Sequence, residues 1–218
     1  MDREIYSLKV YSTRMEYDAF QLELGPEENE AENDYFGMQF NVTLWCRGEL
    51  CAKLWGKLYD ENRVYGSAMD ILNVADPNEP EETALAEAFN DSTELQVREP
   101  AWQNIQGFSG YLQGLFVTPG FRGRGIAGYL LTHLHRILHH AMNIRVRAVG
   151  ISPVPKAEMD GSPVEDEAMR AELERCNRAI LEKCGYHEIL DLALQGMMYG
   201  NYDEEERGTG YYVRVYPA

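Results

Sequence analysis

Apolar and polar positions alternate along this chain with two different periods. In "EIYSLKVYS", residues 4–12, the period is close to two and predicts a strand. Two longer β-rich runs follow, "YFGMQFNVTLWC" (35–46) and "LCAKLWGKLYD" (50–60). Only "RGE" separates them, with Gly48 placed to supply the turn of a hairpin. "VYGSAMDILNVAD" reads as a further extended segment. "PNEPEETALAEAF" predicts a short helix, Pro80 to Phe89, with prolines and acids at its front, where the helix dipole favours them. "GYLQGLFVTP" predicts a strand ended by Pro119.

From Gly125 to about Met142 the period becomes helical. Ile126, Leu130, Leu134, Ile137 and Ala141 recur at three- and four-residue steps as one apolar face. "IRVRAVGI" is the next strand. A second amphipathic helix, "EAMRAELERCNRAILEKCGY", carries Met169, Leu173, Cys176, Ile180 and Cys184 along one side, with Gly185 as its C-cap. Two closing strands, "YHEILDLALQGMMY" and "GTGYYVRVYPA", flank the acidic turn "NYDEEERG". "GPEENEAEND" (25–34) reads as a solvated loop, and "SPVPKAEMDGSPVEDE" (152–167) as a long loop at a functional rim. The order predicts a mixed α/β chain with a largely antiparallel front half and one βαβ unit in the middle.

Composition narrows this little. The chain has 218 residues, 44% of them hydrophobic, which suffices for one sizeable core. No run approaches the roughly 18 consecutive apolar residues of a membrane span. The N-terminus "MDREIYSLKV" is charged where a signal peptide would be apolar, so the expectation is a cytoplasmic protein without a membrane role. Cys46 and Cys51 flank the hairpin turn, close enough for a cross-strand disulfide, but reduced thiols are expected in that compartment. His135 and His139 lie i, i+4, as metal ligands can, yet no HExxH pattern or nearby acid supports a metal, and exposed helix histidines are expected.

Charge is more informative. The net charge of −16 argues against nucleic acid as a partner, which would need a basic footprint. The acidity is uneven. Residues 100–157 contain no Asp or Glu, where the chain's average would place about 10. The same block holds Arg122, Arg124, Arg136, Arg145, Arg147 and Lys156. A polyanionic ligand lying along it would account for that bias beyond what burial explains.

Within this block lies "VTPGFRGRGIAGYLL", Val117 to Leu131. The spacing Gly123-x-Gly125-x-x-Gly128 suggests a dinucleotide fingerprint. That reading needs glycines at the strand's end and an acid about twenty residues on. Here "TPGFR" intervenes, and the next acid is Glu158. A Walker A loop needs Gly-Lys-Ser/Thr, which is absent. What remains is a helix starting near Gly125, whose free N–H groups and partial positive charge suit a pyrophosphate. Gly123, Gly125 and the small Ala127 let phosphate oxygens come close, and Arg122 and Arg124 add charge.

Val117, Pro119, Phe121, Arg122, Gly125 and Ala127 together resemble the signature of the GNAT superfamily of acyl-CoA-dependent N-acyltransferases. The resemblance covers about 20 residues closely, and the element order from about residue 100 onward loosely. It implies a GNAT-like mixed, mostly antiparallel central sheet with a splayed strand pair and flanking helices. Residues 1–218 would form a single domain, with 100–218 the acyl-CoA-binding half and 1–99 a variable acceptor-side half. It implies that Leu115, Phe116 and Val117 line the acetyl-pantetheine arm. The amides of Arg122, Gly123, Arg124, Gly125, Ile126 and Ala127 would hold the pyrophosphate of acetyl-CoA.

The resemblance thins toward the chemistry. In "ERCNRAILEKCGY", Glu182, Lys183 and Gly185 match the family's second helix and Tyr186 stands for its Phe. Leu181 occupies the place of the tyrosine that protonates the leaving thiolate. Glu174 stands at the Asn place, and Asn177 is either a cofactor contact or a plain polar residue. No general acid or base is assigned. Tyr186, Tyr199 and Tyr202 are acid candidates, and Glu94 and Glu99 base candidates. The motif strand offers Gln113 and Tyr111 but no carboxylate, so a water chain is the alternative base.

The expected activity is acetyl transfer from acetyl-CoA to a primary amine by direct attack in a ternary complex. The acidic front half and the loop Glu158 to Glu167 favour a cationic acceptor, a small amine or a basic peptide. The rival is an acyl-CoA-binding sensor or partner-binding module without turnover. The protein is expected to act as a monomer or homodimer.

Overall fold

The hairpin of residues 35–60 is set by its turn. In the computed structural model, Arg47 and Gly48 have φ of 52° and 85°. Two consecutive left-handed residues give the turn that matches the twist of antiparallel strands. They close Tyr35–Cys46 (β2) onto Glu49–Asp60 (β3), the pair expected from the sequence. The structure describes residues 6–16, 35–60, 107–188 and 211–216. The expected loop 25–34, the expected helix Pro80 to Phe89, most of "YHEILDLALQGMMY", and Glu94, Glu99, Tyr199 and Tyr202 lie outside them.

Tyr6–Glu16 (β1) pairs antiparallel with β2, and Phe108–Val117 (β4) antiparallel with β3. β4 lies parallel to Val146–Ile151 (β5), and Ile126–Met142 (α1) makes the crossover that a parallel pair requires. Glu167–Lys183 (α2) follows, then His187–Glu188 (β6) and Tyr212–Val215 (β7). The sheet order is β1-β2-β3-β4-β5-β7-β6. Among the described strands only β4 and β5 are parallel neighbours. The mostly antiparallel mixed sheet and the single βαβ unit are as expected.

By register, Leu8, Val10, Val42, Leu44, Leu54, Leu58 and Leu112 share one sheet face. They join Ile126, Leu130, Leu134 and Leu138 of α1 in one core. The expected helix face needs correction. Leu131 and Leu138 are buried, whereas Ile137 is half-buried and Ala141 exposed. The stripe runs straight at 126, 130, 134 and 138 toward the sheet, and Leu131 turns toward α2.

α2 departs further from expectation. Asp166 caps it by accepting from the N–H of Met169 at 2.8 Å, and Gly185, with φ of 80°, follows its end as expected. Yet Leu181 is its one buried residue, Met169 is 57% exposed and Cys176 is exposed. The apolar side expected to be core is mostly something else.

β4 carries a bulge. Trp55 faces Gly114 and Gly56 faces Leu112, so Gln113 is the extra residue. On its other edge β4 pairs with β5 only as far as Leu112 opposite Ile151. Beyond that point the strands part, and this is the splayed pair expected from the sequence.

Candidate active site

The parted strands open a cleft of about 470 Å³. Gln113 to Val117 form one wall, and Ile151 to Lys156 the other. The first turn of α1 closes the end toward Val117, and one side of α2 forms the floor. Leu173, Cys176, Asn177, Ile180, Leu181 and Cys184 all line it at helical spacing. This explains the under-buried stripe of α2, whose apolar positions face the cleft rather than the core.

The loop between β4 and α1 is fixed at both ends. The Thr118 N–H donates to the Cys51 carbonyl at 2.9 Å and its hydroxyl to the Leu50 carbonyl at 2.8 Å. Pro119–Phe121 form a 3₁₀ turn. Gly123 and Gly125 have φ of 75° and 76°, a conformation that favours glycine at both. The Tyr129 N–H donates to the Gly125 carbonyl at 2.9 Å as the first α-helical bond. The N–H groups of Ile126, Ala127 and Gly128 therefore have no partner within the helix. No acid lies in this first turn. Arg122, Lys156 and Lys183 line the cleft, and no Asp or Glu is among its described lining residues.

Leu115, Phe116, Val117, Arg122, Gly123, Gly125, Ile126, Ala127 and Asn177 are brought together on this lining. Arg124 is placed beside it. Its guanidinium donates to the Gly120 carbonyl at 3.1 Å and lies 4.9 Å over the Phe121 ring. The Arg122 Nε donates to the Val117 carbonyl at 3.0 Å, with the guanidinium 5.5 Å over Phe116. The Asn177 Nδ2 donates to the Pro153 carbonyl at 2.9 Å, tying α2 to the opposite wall.

The residues considered for proton transfer are distributed unevenly. Leu181 is buried and lines the cleft. Tyr186 is buried away from it, its hydroxyl 3.3 Å from that of Tyr216. Burial holds the Tyr186 phenol well above its ordinary range, with Tyr216 adding to the effect. Gln113 lines the cleft and Tyr111 does not. The sequence placed residues 152–167 at a functional rim and offered Asn177 as a cofactor contact, but it did not name Ser152 to Lys156 as a wall or the apolar side of α2 as a floor. The signal was there in "SPVPK", a rigid run directly after the strand that parts from β4.

Cys46, Cys51 and Cys184 are buried, and none of the four cysteines is in a disulfide. Burial, and Cys46 beside it, push the Cys51 thiol up. Among the described residues no three His, Cys, Asp or Glu side chains converge as a metal site. His139 and His140 are exposed as expected. His135 is not, because its ring stacks on Tyr216 at 4.5 Å and 27°.

Fold and cleft together define a mixed α/β chain whose seven-stranded sheet carries a splayed strand pair. No protein-family model matches it, and no curated protein matches it in sequence. Among solved structures it is similar to one described as arylalkylamine N-acetyltransferase 7 from the yellow fever mosquito Aedes aegypti. That pair is 14% identical over 80% of this chain, with a TM-score of 0.40, and this chain spans 63% of the mosquito chain. It is also similar to Drosophila melanogaster polyamine N-acetyltransferase, at 11% identity over 81% of this chain and 74% of that one, TM-score 0.40. A third is Arabidopsis thaliana NAA60 in complex with acetyl-CoA, at 13% identity over 80% and 75%, TM-score 0.35. The functional reading rests on this chain's own cleft.

Proposed function

We propose that the chain is an N-acetyltransferase that moves the acetyl group of acetyl-CoA to a primary amine. One observation carries this. A cleft lined by basic but no acidic residues runs from a glycine-bounded helix N-terminus along an unpaired strand edge. The pyrophosphate fits the free N–H groups of α1 and the charge of Arg122. The amide-rich pantetheine arm fits the edge of β4 from Gly114 onward, past the last β4–β5 pair at Leu112 and Ile151. The acyl end then lies at the apex, near Leu112 and Ile151. Residues 1–218 are read as one domain, the donor held by the half after residue 100 and the acceptor shaped by the half before it.

The amine nitrogen attacks the thioester carbonyl carbon in a ternary complex. A backbone N–H at the bulge polarises the carbonyl oxygen as it gains charge. The carbon–sulfur bond breaks, CoA leaves as thiolate, and the ammonium proton passes to water. With Leu181 at the usual tyrosine place, the thiolate takes its proton from solvent. Only the neutral amine attacks, so kcat/KM rises with pH until the amine is deprotonated.

Calorimetry with acetyl-CoA and a CoA-thiol release assay across an amine panel test this reading. Absence of acetyl-CoA binding overturns it. The second reading, an acyl-CoA sensor, is favoured by Leu181 in the acid's place. Tight acetyl-CoA binding without turnover of any amine decides for it.

A further inference from the structure

The apex of the cleft has a second side. By register, Lys53 and Trp55 of β3 point to the sheet face opposite α1, since Leu54 between them belongs to the core beneath that helix. Gly114 sits next to the bulge on β4, directly across from Trp55. A Cβ on Gly114 would run into the six-membered ring of the indole, at Cε2, Cζ2 and Cη2. The Trp55 indole therefore covers β4 at Gly114, a residue that lines the cleft from the other side of the strand. A Cβ on Gly161 would lie 3.5 Å from the same Cζ2, so the loop that follows β5 also touches the indole. Trp55 keeps part of its surface exposed.

Two opposite charges stand near this indole, one of them directly over it. The Lys53 ammonium stands 4.8 Å from the Trp55 ring centre and donates to the Met159 carbonyl at 3.2 Å. Asp160, the neighbouring carboxylate, accepts from the backbone N–H of Ser162 at 2.8 Å and from its hydroxyl. Lys53 is thus fixed over the indole by the Met159 carbonyl, and Asp160, held by its own turn, stays a negative charge within reach of that ammonium. A flat or aliphatic body gains area and stacking on Trp55. A second ammonium placed there would meet Lys53.

We propose that Trp55 is the platform on which the acceptor lies, and that the acceptor is a primary monoamine with an aromatic or long apolar body rather than a polyamine. This rests on the amine acetyltransferase reading and narrows its substrate class. The net charge of −16 still draws the protonated monoamine toward the molecule. Recognition at the apex then depends on the apolar body.

The test uses the full chain, acetyl-CoA, and three acceptors: 2-phenylethylamine, hexylamine and spermidine. The two monoamines should exceed spermidine in kcat/KM by about tenfold or more. Trp55→Ala should raise the KM for 2-phenylethylamine about tenfold and leave the KM for acetyl-CoA within about twofold. Trp55→Phe, which keeps an aromatic surface on Gly114, should stay within about threefold of the wild type. Lys53→Gln should narrow the gap between spermidine and the monoamines. A preference for spermidine overturns the proposal, as does a Trp55→Ala variant whose two KM values move together. Turnover that ignores Trp55 defeats the platform alone and leaves the transferase standing. Acetyl-CoA binding with no turnover defeats both.

Discussion

His135 shows how one side chain can set a pH limit. Burial first, then the charges of Arg214, Arg136 and His133, hold its imidazole below the ordinary value near 6.5. The unfolded chain therefore binds this proton more readily than the folded one. Stability from this residue is present above about pH 6.5 and declines as the pH falls below it. Thermal melts of wild type and His135→Phe, which preserves the ring on Tyr216, should diverge between pH 7 and pH 5, with the wild type losing more. Parallel losses would clear His135. Gly125 acts through its backbone instead. Glutamate there meets an unfavourable φ of 76° and sets a carboxylate among the N–H groups offered to phosphate. Gly125→Glu should weaken acetyl-CoA about a hundredfold by calorimetry, the scale of one or two charge-assisted hydrogen bonds. Equal binding by the two proteins would remove the pyrophosphate from this turn.

At the scale of elements, the floor and far wall of the cleft meet at one side-chain bond, from Asn177 to the Pro153 carbonyl at 2.9 Å. Asn177→Ala releases Ser152 to Lys156 from α2 and leaves a half-buried carbonyl without its donor. A loss near 1 kcal/mol corresponds to roughly a fivefold weaker acetyl-CoA affinity. Asn177→Asp should do worse, because it adds negative charge to an acid-free lining. If both variants bind as the wild type does, the far wall is held by other contacts. How far these elements could be read from the sequence follows from how local their causes are. The strand, turn and helix around Gly125 are dictated by neighbours in sequence, so Pro119, the glycines and the apolar period reveal them. The bulge at Gln113 is a register difference between β3 and β4, at "LWG" (54–56) and "LQG" (112–114), far apart in sequence, and no local pattern encodes it. α2 misleads for a related reason. Its stripe of Leu173, Cys176, Ile180 and Cys184 has the period of a buried face, and periodicity does not distinguish a core from a ligand cleft. Trp55 becomes a candidate only once Gly114 and Gly161 are seen beside it.

The whole molecule carries two electrostatic scales that act against each other for one substrate and together for none. The net charge of −16 sets a long-range negative potential. The cleft, lined by Arg122, Lys156 and Lys183 without acids, sets a short-range positive one. The proposed donor, acetyl-CoA, is a polyanion and would cross the first field to reach the second. Salt screens exposed charges beyond about 8 Å at 0.15 M and acts less on partly buried contacts. Raising ionic strength from about 10 to 150 mM should therefore lower the KM for acetyl-CoA or leave it flat, and molar salt should raise it as the phosphate contacts weaken. A protonated monoamine meets the attractive outer field at long range and, on the proposed reading, can lay its apolar body on Trp55 with its ammonium away from Lys53. Its KM should rise steadily, about two- to fivefold over the same range. Both curves come from one steady-state assay. A KM for acetyl-CoA that climbs from the lowest salt would mean the basic lining governs approach at all distances. A flat amine curve would mean the negative surface steers nothing and serves solubility alone.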